Sequence, residues 1–297
     1  MGRPLFHACR RVRDAARESL AAPSVTSHLM GGCGNQIFQY ATGFALARRL
    51  GTRLMLDISY YDAPGVHRVY SLDLFKGVQA RLVRKLSGPV IREEGYPYNP
   101  GLFENLPRRF SLYGYWPCEQ YFFGLREELG DQLVPRKPLP AFQREIERQI
   151  AEAGKRSVFL HVRRTDYVGN PFHVALPLDY YRKAAALIAA KVPDPVFFIF
   201  SDDPEWCDKN LDLPYRAVTA ENSGTEASNN VEGREDAVVW LMRRCNHAVI
   251  ANSSLSWWGA WLGADVGGGI IVAPCSWLGP AFTEDPRDIV PHRWARL

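Results

Sequence analysis

VTSHLMGGCGNQIFQYATGFALARRLGTRLMLDI, residues 25–58, reads as strand, glycine turn, helix and strand in succession. Val25–Met30 predicts a short strand, and Gly31, Gly32, Cys33 and Gly34 a tight turn. Asn35–Leu50 predicts a helix, in which Ile37, Tyr40, Ala41, Phe44, Ala45 and Ala47 recur at helical spacing. Arg53–Ile58 predicts the second strand. That order opens an α/β unit, in which a crossover helix lets one strand pair in parallel with the next.

Outward from this unit the chain changes character. Residues 1–23 carry Arg3, Arg10, Arg11, Arg13 and Arg17 without the apolar centre of a secretory signal, and are expected to be a basic extension ahead of the domain. Tyr60–Pro107 is rich in turn residues and scattered aromatics. Arg109–Tyr115 predicts a strand, followed by the aromatic stretch Trp116–Phe123. The proline-rich, basic segment Pro135–Pro140 predicts a hinge, with an N-terminal domain over 24–139 and a C-terminal one over 140–297. Beyond it strands are expected at Ser157–Val162, Val196–Phe200, Arg216–Thr219, Ala248–Ala251 and Gly269–Ala273. Helices are expected at Leu178–Lys191, from Asp203-Pro204, at Asp236–Cys245 and at Leu255–Leu262. Asp203 would cap its helix and Pro204 would occupy the first helical position. Alternation at this pace implies α/β architecture with a parallel, doubly wound sheet.

The bulk composition excludes several classes. With 46% apolar residues and a net charge of +4 over 297 residues, the chain is neither disordered nor basic enough for nucleic acid. No apolar run approaches the roughly 18 residues of a membrane span. Six cysteines, Cys9, Cys33, Cys118, Cys207, Cys245 and Cys275, lie far apart without CxxC pairs, so free thiols and a reducing, cytosolic compartment are expected. No Asp-x-Asp closes a strand, and His161, His173, His247 and His292 lack ligand spacing, so no metal site is expected. Trp257-Trp258 predicts core rather than a sugar platform, and Arg243-Arg244 a solvated face.

Ligands of such sheets bind beyond the carboxyl ends of the strands. Three expected strands end there in polar clusters: His161-Val162-Arg163-Arg164-Thr165-Asp166, Ser201-Asp202-Asp203, and Asn252-Ser253-Ser254 at a helix start. An arginine fork and free helix N–H groups suit a phosphate, and carboxylates suit sugar hydroxyls. The alternative is that Arg163 and Asp166 pair with each other and cap the loop. His161 is a candidate for contact with a base. The turn with Gly32, Gly34 and Asn35 is a second candidate, allowing close backbone approach to a ligand. It is neither a dinucleotide fingerprint nor a Walker loop, and no G-x-S-x-G elbow occurs.

Five segments in order, LMGGCGNQIFQYATGFALARR (29–49), GYWPCEQYF (114–122), HVRRTDYV (161–168), FSDDPEW (200–206) and DAVVWLMRRCNHAVIANSSLSWWGAWL (236–262), resemble the bacterial α-1,2-fucosyltransferase family. The HxRRxD stretch is also similar to that of α-1,6- and protein O-fucosyltransferases. The resemblance implies a GT-B-like fold of two Rossmann-like domains facing a cleft. It implies transfer of fucose, with inversion and without a metal or other cofactor, from GDP-β-L-fucose to the 2-hydroxyl of a terminal β-galactoside. Fucosyl transfer to another position and non-catalytic binding of a GDP-sugar or glycan are the alternatives. Arg163 would grip the pyrophosphate with Ser253 or Ser254, Arg164 and Asn252 would join that rim, and Asn35 would line the cleft. Asp236 would bind guanine or ribose, His161 would lie beside the base, and Asp202 and Asp166 would order the loop or hold hydroxyls. Where the α-1,6 enzymes carry a glutamate after the arginine motif this chain has Pro171, so Asp166 and His173 are the candidate bases, or none acts. Cys33 replaces a more usual leucine. The implied acceptor is a galactose-terminated polysaccharide repeat unit on a lipid carrier, met by peripheral contact at the inner face of the membrane.

Overall fold

The computed structural model describes residues 22–220 and 234–297, so the expected extension lies outside them except for Ala22 and Pro23. The first half holds β1 (Ser24–His28), α1 (Cys33–Arg49), β2 (Arg53–Asp57), β3 (Arg81–Val83), β4 (Val90–Arg92), β5 (Arg109–Tyr113) and α2 (Arg126–Gln132). The second holds α3 (Ala141–Ala153), β6 (Ser157–Val162), α4 (Leu178–Ala189), β7 (Val196–Ser201), α5 (Pro204–Asn210) and β8 (Arg216–Thr219). It continues with α6 (Glu235–Arg244), β9 (His247–Val249), α7 (Ser254–Leu262), β10 (Ile271–Ala273) and β11 (Ala295–Arg296).

The strands form two sheets, ordered β3-β2-β1-β5-β4 and β11-β10-β9-β6-β7-β8. Every pairing between these strands is parallel. β6 and β7 are buried along their whole length, as strands covered on both faces must be, and their runs SVFLHV and VFFIFS are correspondingly apolar. The α/β architecture expected from the alternation is therefore present, as two parallel sheets facing a shared cleft.

Some elements were not expected. β3, β4 and β11 are two or three residues long, too short for periodicity to register against the turn-rich sequence around them. α3 carries a legible stripe, Ile146 and Ile150 one turn apart and Ala153 beyond, all buried. It stands directly after the proline-rich segment Pro135–Pro140.

Two expectations about the last third of the chain resolve in opposite ways. Trp257 and Trp258 are fully buried in the core, as expected. Arg243 is not on a solvated face. Its Nη1 donates to the carbonyl of Gly130 at 2.8 Å, tying α6 to the end of α2, while Arg244 is exposed.

The two halves share one apolar core. Phe38 of α1 packs 4.6 Å from Trp257 and 4.9 Å from Trp258 of α7, and Phe122 stacks on Trp258 at 5.2 Å. Trp258 Nε1 donates to the Gly34 carbonyl at 3.0 Å. A Cβ on Gly34 would stand 2.6 Å from the backbone of Ser254 and Leu255, so only glycine lets the starts of α1 and α7 meet.

Candidate active site

Register brings the first polar cluster together. β6 and β7 pair Val162 with Ser201, which makes the residues just beyond them neighbours. Asp202 accepts from the Arg164 amide at 2.9 Å, the Thr165 amide at 3.1 Å and the Thr165 hydroxyl. The loop after β6 is thereby folded back, and Arg163 points into the cleft. Its Nε and Nη2 reach Asp166 Oδ1 at 2.9 and 2.8 Å, and Nε lies 3.3 Å from Asp202. Burial opposes the charge of Arg163, but the carboxylates of Asp202 and Asp166 outweigh it and raise its pKa.

The floor is built from two helix starts. α1 begins after Gly32 and α7 after Ser253, and neither cap residue turns a side-chain acceptor back on its own helix. The unpaired N–H groups and positive dipole ends of both helices are therefore free to meet an anion. Gly32, Gly34 and Asn35 line a cleft of about 250 Å³ together with Asn252, Ser253 and Ser254. Asn252 is buried, its amide donating to the carbonyls of Val174 and Trp277, while its Oδ1 has no partner among the described residues.

Arg163, Asp166 and His173 form one wall. Asp166 is gripped on both oxygens, since Arg68 of the first half places Nη2 2.7 Å from Oδ2. Burial would raise the Asp166 pKa, but Arg163 and Arg68 hold it below the usual carboxylate range. His173 stacks on Tyr167 at 4.8 Å, and the Tyr167 hydroxyl donates to the Asn252 carbonyl at 3.1 Å. Burial is the main cause that lowers the His173 pKa, with Asp166 opposing and Arg163 and Arg68 adding to the shift. Its imidazole is therefore neutral at pH 7 and able to accept a proton.

Tyr96 and Tyr115 of the first half also line the cleft. Behind them Glu93 accepts from the amides of Tyr115 at 2.6 Å and Trp116 at 2.8 Å. Burial pushes the Glu93 carboxyl up to about 7 against the pull of those two amides.

Four of the expected contact residues stand away from the cleft lining. His161 lies within β6, 3% exposed, with Nδ1 unpartnered among the described residues. Burial brings its pKa down to about 4, Arg163 adding and Asp202 opposing. Arg164 turns its guanidinium onto Trp206 at 3.7 Å and beside Asp203 at 3.5 Å. Asp202 folds the loop, as described. Asp236 is 1% exposed and accepts two hydrogen bonds from Arg234, at 2.9 and 3.0 Å. The neighbouring Glu235 lines the cleft in its place. Residues 221–233, just before this pair, lie outside the described residues.

Arg68, Glu235, Tyr96 and Tyr115 are thus among the cleft residues that the sequence did not mark. Arg68 and Tyr96 sit in the turn-rich stretch, where no pattern singles them out. Glu235 had a signal, an acidic residue immediately before the expected helix Asp236–Cys245 and next to the one that was chosen. Among the described residues no group of three or more His, Cys, Asp or Glu side chains could hold a metal ion. No described helix is long and apolar enough to cross a membrane.

Comparison with known proteins gives a consistent set of likenesses. The model of the family described as glycosyl transferase family 11 matches residues 9–297. An alpha-1,2-colitosyltransferase of Escherichia coli is 30% identical over 297 residues, covering 92% of this chain and 98% of its own. Galactoside alpha-(1,2)-fucosyltransferase 2 of Rattus norvegicus is 27% identical, over 80% of this chain and 66% of its own. The solved structure of a mutant of Arabidopsis thaliana FUT1 in complex with GDP superposes with a TM-score of 0.50. It covers 89% of this chain and 74% of that one at 12% identity, a likeness of fold.

Proposed function

The chain belongs to glycosyl transferase family 11, and we propose that within it the protein is an inverting α-1,2-fucosyltransferase that uses GDP-β-L-fucose without a metal ion. One observation carries the donor site: two helix starts without side-chain caps abut and, with Arg163, line one cleft. That arrangement offers N–H donors and a guanidinium fork to a diphosphate. The linkage follows from the two relatives, both named for α-1,2 transfer.

In the proposed reaction the acceptor 2-hydroxyl attacks the anomeric carbon opposite the diphosphate. The bond from that carbon to the phosphate oxygen breaks with its electron pair, giving an α-fucoside and GDP. Charge building on the departing phosphate is met by Arg163 and the two helix starts, a role a metal fills in other enzymes. The hydroxyl proton passes to His173, neutral at pH 7 and half-buried in the wall. Asp166 accepts from Arg68 on one oxygen and from Arg163 on the other. It serves as their counter-ion. Tyr96 and Tyr115 offer faces on which an acceptor sugar can lie. The acceptor is a galactose-terminated glycan, built on a lipid carrier that the protein meets at the membrane surface.

The test is transfer from GDP-fucose to a panel of β-galactosides in EDTA, with product linkage read by NMR. An α-1,2-linked product is expected, and another linkage or dependence on added metal would overturn the assignment. The 30% identical relative favours a second reading, a colitosyl donor. Colitose is fucose without the 3-hydroxyl, so preference between the two nucleotide sugars in the same assay separates the readings.

A further inference from the structure

We propose that Arg68 is a second diphosphate-binding side chain, reached across the cleft from the opposite half, and that Asp166 holds Arg68 and Arg163 in place until the donor displaces it. The inference rests on the nucleotide-sugar reading above and adds to it a residue outside every motif quoted.

Three observations carry it. Arg68 and Arg163 come from different halves, yet both point at one carboxylate, at 2.7 and 2.8 Å. Asp166 is 40% exposed at its side chain, so it can turn outward and release both. Arg68 also stands over the start of α1, its Nη1 3.8 Å from where a Gly32 Cβ would project. The same guanidinium therefore flanks one of the two helix ends proposed to bind phosphate.

The segment bearing Arg68 is anchored to that helix. Buried Gln36 in the first turn of α1 donates to the Val69 carbonyl at 2.8 Å, and its Oε1 accepts from the Ser71 amide at 2.8 Å. Arg68 is thus positioned by the element that presents the N–H groups, unlike an arginine on a loose surface loop. Charge agrees with this placement. With Asp202 also 3.3 Å from Arg163, the two guanidiniums face two carboxylates until Asp166 turns away, and a nucleotide-sugar diphosphate then supplies about two negative charges at neutral pH in place of one. A diphosphate can accept from both arginines at once, as Asp166 does in its absence.

The alternative is that Arg68 is a strut between the halves, and nucleotide binding separates the two. Calorimetry on the full chain would compare guanosine, GMP and GDP for the parent, Arg68→Gln and Arg68→Lys, with thermal melts alongside. Loss of a charge-assisted pair predicts GDP affinity down by roughly 10- to 100-fold in Arg68→Gln, with guanosine unchanged and partial recovery in Arg68→Lys. Asp166→Asn should bind GDP at least as tightly as the parent. A folded Arg68→Gln whose GDP affinity is unchanged, or falls together with that for guanosine, would overturn the role of Arg68. A loss in Asp166→Asn as large as that in Arg68→Gln would overturn the placeholder role of Asp166. A parent that fails to bind GDP would sink the nucleotide-sugar reading itself, so the two failures are distinguishable.

Discussion

Arg163 meets Asp166 through two nitrogens on a single oxygen, a geometry that a guanidinium allows and an ammonium does not. Arg163→Lys keeps the charge and loses the fork, while Arg163→Ala loses both. If the residue stabilises the leaving diphosphate, Arg163→Ala should lower kcat by about 10²–10³-fold with the melting curve little changed, and Arg163→Lys should fall between. Steady-state kinetics beside thermal melts checks this. His173 makes a separate prediction at the same scale. Burial holds its imidazole below the ordinary 6.5, so the proton-accepting form dominates at pH 7 and is lost only as pH falls through that lowered pKa. The acid limb of kcat/KM should therefore lie below pH 6.5, and His173→Gln should abolish it. A limb unchanged in His173→Gln would remove the residue from the base role. At this scale the sequence showed where arginine and carboxylate would gather. It did not show which of Glu235 and Asp236 would face the cleft. Two adjacent helical residues point about 100° apart, and only the packing of α6 selects between them.

α1 and α7 begin at the same place because Gly34 has no side chain. Gly34→Ala would press a methyl to 2.6 Å from the backbone of Ser254 and Leu255, atoms that cannot swing aside. Overpacking of this kind costs roughly 1–3 kcal/mol. Here it also separates the two helix starts, so the donor KM should rise along with the loss of stability. Gly124→Ala, whose Cβ would meet nothing within 4 Å, is the control expected to change neither. Chemical denaturation and donor kinetics on both variants test the pair. The turn at Gly31–Gly34 was legible as a place of close approach, but its partner was not. Contact with Ser254 depends on a helix some 220 residues later, and a glycine turn alone is compatible with many neighbours. The short edge strands were missed for a different reason. Three residues supply one and a half periods of alternation, too few to stand out from the loops on either side.

The halves are joined beyond the cleft by a compact ion network. Glu119 and Asp265 both meet Arg126 and Arg293, while Trp261 donates to Glu119 at 2.8 Å and Trp294 to Asp265 at 2.9 Å. With the shared apolar core, this predicts one cooperative unfolding transition in calorimetry rather than two. Burial would raise the Asp265 pKa, but hydrogen bonds from Arg293, Trp294 and Arg126 hold it below the usual range. A depressed carboxyl contributes stability above its unfolded pKa, about 3.9, and loses it as pH falls through the folded value. Asp265→Asn should therefore melt several degrees lower than the parent at pH 7. The gap should close as pH drops below about 4, and a gap independent of pH would show that the charge is not what stabilises.

What the sequence determined by itself is what local pattern encodes. Strand and helix periodicity specified an α/β chain, and the arginine pair after a buried strand marked one rim of the cleft, which Arg163 lines. The glycine turn that runs into α1 marked a second close approach, made by Gly34. The tertiary structure decided which of these meet, and it added Arg68, which reaches Asp166 across 98 residues. The physical reason is that parallel pairing and helix packing join segments far apart in the chain. Side-chain direction at their junctions depends on register and on the neighbouring backbone, neither of which leaves a mark in a window of a few residues.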